Sequence, residues 1–241
     1  MSRPLAGVEA YVFDVFGTVV DWYGSVTKQL AEFAPSQNED WESFTKEWRE
    51  GYKQYTARVA IGGQGSTNAD VMHREILDGM LHSERWQHLG PLWDDEKRQE
   101  MVNFWHKLDG WPDSSKGLHA LKKKAIIGTL SNGNVRLLVD MAKHADLPWD
   151  VVFSGELLGS YKPHPKVYTG ALNHLSVPPK KCAMVAAHIY DLRAAASHGM
   201  KTVYVRRPTE DEGTRDSVKS KAQGGEVDVV VDSLEELAGL L

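Results

Sequence analysis

Tyr11-Val12-Phe13-Asp14-Val15-Phe16-Gly17-Thr18 is the stretch that decides the fold. Tyr11 to Phe13 is an apolar run with high strand propensity. It stops abruptly at a carboxylate, and a glycine and a hydroxyl follow. Strand propensity does not account for a charge at the mouth of a buried strand. Asp14 is therefore either a cap and turn residue or a reactive group. Gly17 lets the chain turn with its backbone close to whatever Asp14 binds. Thr18 places a donor within a turn of the carboxylate.

Working outward, the pattern changes after Thr18. From about Trp22 to about Asp109 no strand is expected. Gly24 to Phe33 carries Val26, Leu30 and Phe33 at helical spacing. Trp41 to Val59 is also helical, with Trp41, Phe44, Trp48, Tyr52 and Tyr55 near one face. Ile61 to Ser66 is a glycine-rich break without phosphate-loop spacing, read as a connector. Thr67-Asn68 can cap a helix through Val71, Ile76 and Met80. Asp94 to Leu108 closes the block. Six of the eight tryptophans fall in it, as packing for a helical unit. Inserted straight after a strand-end carboxylate, such a unit can serve as a cap that excludes water. The division expected is an α/β core of residues 1–20 and 110–241 and a helical cap of residues 21–109.

Beyond Trp111-Pro112-Asp113, helices and strands alternate. Strands are expected at Lys124–Leu130, Val151–Phe153, Cys182–Ala186, Thr202–Val205 and Val227–Val231. Helices are expected at Ser114–Lys123, Val135–His144, Lys166–His174, Asp191–His198 and Ser233–Leu240, the last capped by Asp232. Pro208 to Gly225, polar and of mixed charge, reads as a surface loop. Such alternation argues for a doubly wound, Rossmann-like parallel sheet covered on both faces. Ligands of such sheets bind beyond the strands' carboxyl ends. Asp14, Ser131-Asn132, Lys162 and Asp191 all lie at or just after such ends, so four separate segments deliver polar groups to one crevice.

Bulk properties narrow the function classes. The 241 residues allow one large domain or a core with an insert. A composition 41% hydrophobic and 25% charged is that of a globular protein. A net charge of -5 gives no reason to expect nucleic acid or an anionic membrane as partner. The single cysteine, Cys182, rules out an internal disulfide and a cysteine-cluster metal site. No apolar run is long enough to span a bilayer, and the first residues lack a signal-peptide core. A cytoplasmic protein is the simplest expectation. Exposed tryptophans on the cap would offer a homodimer face.

Phe13-Asp14-x-x-Gly17-Thr18, Leu130-Ser131-Asn132-Gly133, Ser160-Tyr161-Lys162-Pro163 and the run Val185 to Leu192 resemble, in order, the four motifs of the haloacid dehalogenase superfamily. The resemblance implies that Asp14 is a covalent nucleophile. It implies that Lys162 offsets clustered carboxylates and that Asp191, with Lys162, orients the hydrolytic water. Two departures select a subclass. Phosphatases of the superfamily carry an acid two residues after the nucleophile, where this chain has Phe16. They also carry an Asp after the fourth strand to help hold Mg²⁺, where this chain has Ala187. Halide leaves as an anion and needs neither.

Trp48-Arg49, with Tyr52 and Tyr55, resembles the cap of type II L-2-haloacid dehalogenases, whose Arg receives the halide. The resemblance implies substrate contacts from Thr18, Arg49, Ser131, Asn132 and Tyr168, and no metal or other cofactor. Many members have Ser and Asn after the fourth strand, where this chain has Ala186 and His188. His188 is expected either to orient the hydrolytic water or to narrow the pocket. The expected activity is hydrolysis of short (S)-2-haloalkanoates to (R)-2-hydroxy acids through an aspartyl ester. Its rivals are a Mg-dependent small-molecule phosphatase and a non-catalytic binding protein on the same scaffold.

Overall fold

A computed structural model describes residues 4–241. Strand β1 (Ala10–Phe13) is buried along its whole length, and its side chains alternate between two cores. Tyr11 and Phe13 enter one, Ala10 and Val12 the other. The remaining strands are β2 (Ile126–Ser131), β3 (Val151–Ser154), β4 (Cys182–Ala186), β5 (Lys201–Val205) and β6 (Val229–Val231). All pair in parallel, in the order β3-β2-β1-β4-β5-β6. The order reverses direction between β1 and β4, and that switch point opens the crevice in which Asp14 sits.

Helices α5 (Ser114–Lys122), α6 (Val135–His144) and α10 (Leu234–Gly239) cover one face through Leu118, Leu121, Leu137, Met141 and Leu237. Helices α8 (Pro165–Leu175) and α9 (Ile189–Ser197) cover the other through Val167, Ala171, Leu192 and Ala195, and α7 (Gly155–Leu158) is a single turn after β3. This is the expected α/β sheet. Local details differ from expectation. Ser233, not Asp232, caps α10, because its hydroxyl accepts the Glu236 N–H. Val71 faces solvent, 46% exposed, while Ala69, Met72, His73, Leu77 and Met80 form the buried stripe of its helix.

Four helices follow β1 without an intervening strand: α1 (Trp22–Phe33), α2 (Trp41–Ala60), α3 (Ala69–Met80) and α4 (Asp95–Val102). The expected last helix to Leu108 instead tightens into a 3₁₀ turn at Asn103–His106. Helix α2 starts at Asp40, whose carboxylate accepts the Ser43 N–H, and runs for 20 residues. Its buried stripe is Trp41, Phe44, Trp48, Arg49, Tyr52 and Tyr55, so one cation is carried inward among aromatics. All six tryptophans of the block are buried; they present no homodimer face. His106 joins the block to the sheet domain, with one ring nitrogen 3.0 Å from Asp70 of α3 and the other 3.0 Å from Asp140 of α6.

Candidate active site

Asp14 extends β1 by one residue, its N–H donating to the Val185 carbonyl of β4 at 3.0 Å. Both carboxylate oxygens have donors. Lys162 Nζ lies 2.8 Å from Oδ1. The Thr18 hydroxyl donates to Oδ2 at 2.8 Å, and His188 Nδ1 lies 3.0 Å from the same atom. Burial works against the charged form, but Lys162 and His188 outweigh it and hold the Asp14 carboxyl far below the usual carboxylate range. Asp14 is thus a buried, ionised carboxylate, 7% exposed.

Lys162 is shared. Its ammonium also contacts Asp191, whose other oxygen accepts the Tyr168 hydroxyl at 2.6 Å. Asn132 fixes the lysine from the backbone side, its Oδ1 accepting the Lys162 N–H at 2.8 Å. The Thr18 hydroxyl accepts the Ala187 N–H at 2.8 Å while donating to Asp14, so its hydrogen-bonding capacity toward protein is used on both sides. The Ser131 hydroxyl accepts the N–H of Gly133 and turns the chain into α6.

A cavity of about 660 Å³ opens over this cluster. Asp14, Asn132, Lys162 and His188 line its floor, Trp22, Arg49 and Tyr52 its helical side, and Phe16, in the loop after β1, also lines it. Thr18, Ser131, Tyr168 and Asp191 stand behind the floor rather than on the surface. Arg49 is 5% exposed, and its guanidinium lies 4.5 Å from the Tyr52 ring centroid, 5.2 Å from Trp22 and 5.4 Å from Phe16. Its Nε and Nη1 are buried without an acceptor. A buried cation with unpaired donors beside a cavity has the chemistry to receive an anion.

Glu210 belongs to the site although it lies outside the expected strand-end groups. Within the expected surface loop Pro208 to Gly225, Glu210 is 3% exposed and sits in the cavity wall. Its Oε2 lies 2.8 Å from His188 Nε2, and its Oε1 accepts the Trp22 indole N–H at 2.6 Å. Burial would lower the basicity of His188, but the two carboxylates at its two nitrogens raise it to about 9. Its position carries a signal in the sequence: Glu210 lies five residues past the carboxyl end of β5, at the same edge of the sheet as the other groups.

The donor set does not fit a hard divalent cation. The ammonium of Lys162 lies between the two carboxylates such an ion would use, and His188 covers the second oxygen of Asp14. Among the described residues no group of three His, Cys, Asp or Glu side chains is placed to hold a metal. Among the same residues no helix is long and apolar enough to cross a membrane.

The fold is a doubly wound parallel α/β sheet with a carboxylate cluster at its strand ends and an inserted helical block over them, the class of α/β proteins that carry a site at the switch point. The chain belongs to the haloacid dehalogenase-like hydrolase family, whose family model matches residues 8–199. Among solved structures it is similar to the L-2-haloacid dehalogenase PA0810, with 36% identity, 96% of this chain and 98% of that one covered, and a TM-score of 0.84. It is equally similar to the defluorinating L-2-haloacid dehalogenase Rha0230, with 35% identity, 97% and 95% covered, and a TM-score of 0.87. The (S)-2-haloacid dehalogenase 4A of Burkholderia cepacia is 28% identical over 211 residues, 83% of this chain and 84% of the relative.

Proposed function

We propose that this chain is a hydrolytic dehalogenase that converts short (S)-2-haloalkanoic acids to (R)-2-hydroxy acids through an ester on Asp14. One observation carries the reading: an ionised, buried Asp14 shares a cavity with the buried Arg49, whose Nε and Nη1 have no acceptor. The names of the relatives agree with it.

An Asp14 oxygen attacks C2 in line with the carbon–halogen bond. Oδ1, with one donor against two on Oδ2, keeps the freer lone pairs. Arg49 receives the halide, which leaves with the bonding pair. Phe16, where a phosphatase keeps its acid, forms an apolar wall beside it. Water then attacks the carbonyl carbon of Asp14 and releases the hydroxy acid. His188 orients that water. Asp191 and Tyr168 hold Lys162, and Thr18 and Lys162 hold Asp14. Asn132 and Lys162 face the substrate carboxylate, while Ser131 shapes the turn behind it. Residues 21–109 act as the cap over a core of 1–20 and 110–241. The small haloacid is the partner, and the enzyme works in the cytoplasm. A homodimer would need a face other than the cap tryptophans.

The test is halide release from a panel of fluoro-, chloro- and bromoacetate and both 2-chloropropionate enantiomers, with Asp14→Asn as control. Release selective for the (S) enantiomer and lost in the variant is expected. Hydrolysis of p-nitrophenyl phosphate that stops with EDTA, without halide release, would replace this reading with the phosphatase one. Silence on both panels would revive the non-catalytic one.

A further inference from the structure

His188 stands between two carboxylates that face it from different elements. Asp14 belongs to β1, and Glu210 to the loop after β5. Tyr190 of its own helix lies 5.6 Å away, ring to ring. Lys162 meets Asp14 on the far side, and Arg49 acts on Glu210 from α2. Only one of these groups changes charge in the proposed reaction. Esterified Asp14 is neutral, whereas Glu210 is not.

The loop that carries Glu210 is built to deliver it. Arg207, 4% exposed, donates to the Thr18 carbonyl and pairs with both oxygens of Asp113 at 2.7 and 2.9 Å. Asp211 accepts the Ile189 N–H at the start of α9 and holds a left-handed backbone, φ 47°. Glu210 is thus pinned on both sides. On the opposite wall Gly17 has φ 84°, and a Cβ there would overlap Glu210 Cδ and Oε1. The glycine after the nucleophile leaves the space that the glutamate fills.

We infer that Glu210 is a positioning residue for the hydrolytic half of the reaction, holding the Nε2 proton of His188 so that Nδ1 serves as base once Asp14 is esterified. The inference rests on the dehalogenase reading. In the resting enzyme both nitrogens carry protons, and Nδ1–H donates to Asp14. Attack of Asp14 forms the O–C2 bond, breaks the carbon–halogen bond and removes the negative charge that held the Nδ1 proton. That proton passes to solvent. Nδ1 then takes a proton from water as the water oxygen bonds to Asp14 Cγ. Collapse breaks the bond between Cγ and the alkyl oxygen, the departing alkoxide takes the second water proton from the new hydroxyl on Cγ, and Asp14 regains its charge beside a reprotonated His188. One halide, one proton and one hydroxy acid leave per water consumed. A glutamine at 210 would donate to Nε2 instead, fixing the proton on Nδ1 and leaving no base toward the ester.

The experiment compares wild type, Glu210→Gln, His188→Asn and the double variant with (S)-2-chloropropionate, reading the halide burst, steady-state turnover and the mass of the Asp14 peptide. In Glu210→Gln a stoichiometric halide burst is retained, turnover falls at least ~10²-fold and the ester accumulates. In the His188→Asn background the second substitution changes turnover less than ~3-fold, since its action through His188 is already gone. Should Glu210→Gln not fold, Trp22→Phe keeps the ring beside Arg49 but deletes the donor to Oε1, and a smaller ester accumulation is expected. Full turnover without accumulated ester in Glu210→Gln, or independent losses in the double variant, overturns the inference while leaving Asp14 catalysis standing. Wild type that releases no halide overturns the dehalogenase reading itself.

Discussion

Arg49 stacks its guanidinium 4.5 Å from the centre of the Tyr52 ring while its Nε and Nη1 protons meet no acceptor. Aromatic faces attract the cation but do not satisfy its N–H groups. The arrangement is therefore stable only at a cost, and an anion removes that cost. Replacing buried charge with apolar side chains of similar volume is neutral to stabilising, by up to about 4 kcal/mol. Arg49→Met is expected to raise the thermal midpoint while lowering halide release at least ~10²-fold. Bromide added to wild type should raise its midpoint and leave that of the variant unchanged. Differential scanning fluorimetry with and without halide reads both effects, and an Arg49→Met protein of unaltered stability and bromide response would refute the anion seat.

Asp14 makes a separate, isotopic prediction. Water attacking its carbonyl carbon leaves a water oxygen in the carboxylate, so one turnover in ¹⁸O water should label Asp14 rather than the hydroxy acid. Mass spectrometry of the peptide containing Asp14 decides it. Label found in the product after the first turnover would mean that water attacks C2 directly. Asp14→Asn should reduce turnover at least ~10³-fold and also lower stability, because it removes the charge that the buried Lys162 and His188 share.

Most of this floor is legible in the amino-acid order because it obeys a local rule. Asp14 and Asn132 directly follow β1 and β2, Lys162 follows the single turn α7 after β3, and a parallel sheet brings such ends together. Arg49 is legible because Trp48, Tyr52 and Tyr55 share its helical stripe. Glu210 is not, since the mixed charges around it look like a solvated loop. Its burial depends on Arg207 reaching Asp113 and on space left by Gly17, two contacts between segments far apart in the chain. Val71 fails for the opposite reason: it is apolar, but the buried stripe of its helix passes through Met72 and His73 instead.

The three-group cluster gives stability a pH window. His188 is raised to about 9 from an ordinary 6.5, so its contribution is complete below about 6.5 and is lost as pH rises through 9. The span corresponds to roughly 3 kcal/mol. Asp14 and Glu210 are held below their ordinary values of 3.8 and 4.5, so their contribution is present above those values and lost on acidification. Chemical denaturation between pH 6 and pH 9.5 should show wild type losing more stability than His188→Asn. Parallel curves for the two proteins would mean that His188 is not charged in the resting enzyme.

Gly17 links backbone geometry to the site and supplies the most demanding prediction. Its φ of 84° lies in the left-handed region, where a β-carbon costs about 1 kcal/mol or more. A Cβ there would also overlap the Glu210 carboxylate. That side chain cannot swing freely, because Trp22 and His188 hold its two oxygens and its loop is pinned by Arg207 and Asp211. Gly17→Ala should therefore destabilise by about 1–3 kcal/mol and, in the fraction that stays folded, push Glu210 off His188. The catalytic signature should be a retained halide burst followed by slow release of product, not a slow burst. Since Asp14 and Arg49 are untouched, a variant whose burst and turnover fall in equal proportion would show that the glycine serves the nucleophile's turn alone, and a variant with wild-type turnover would show that Glu210 has room the geometry denies it.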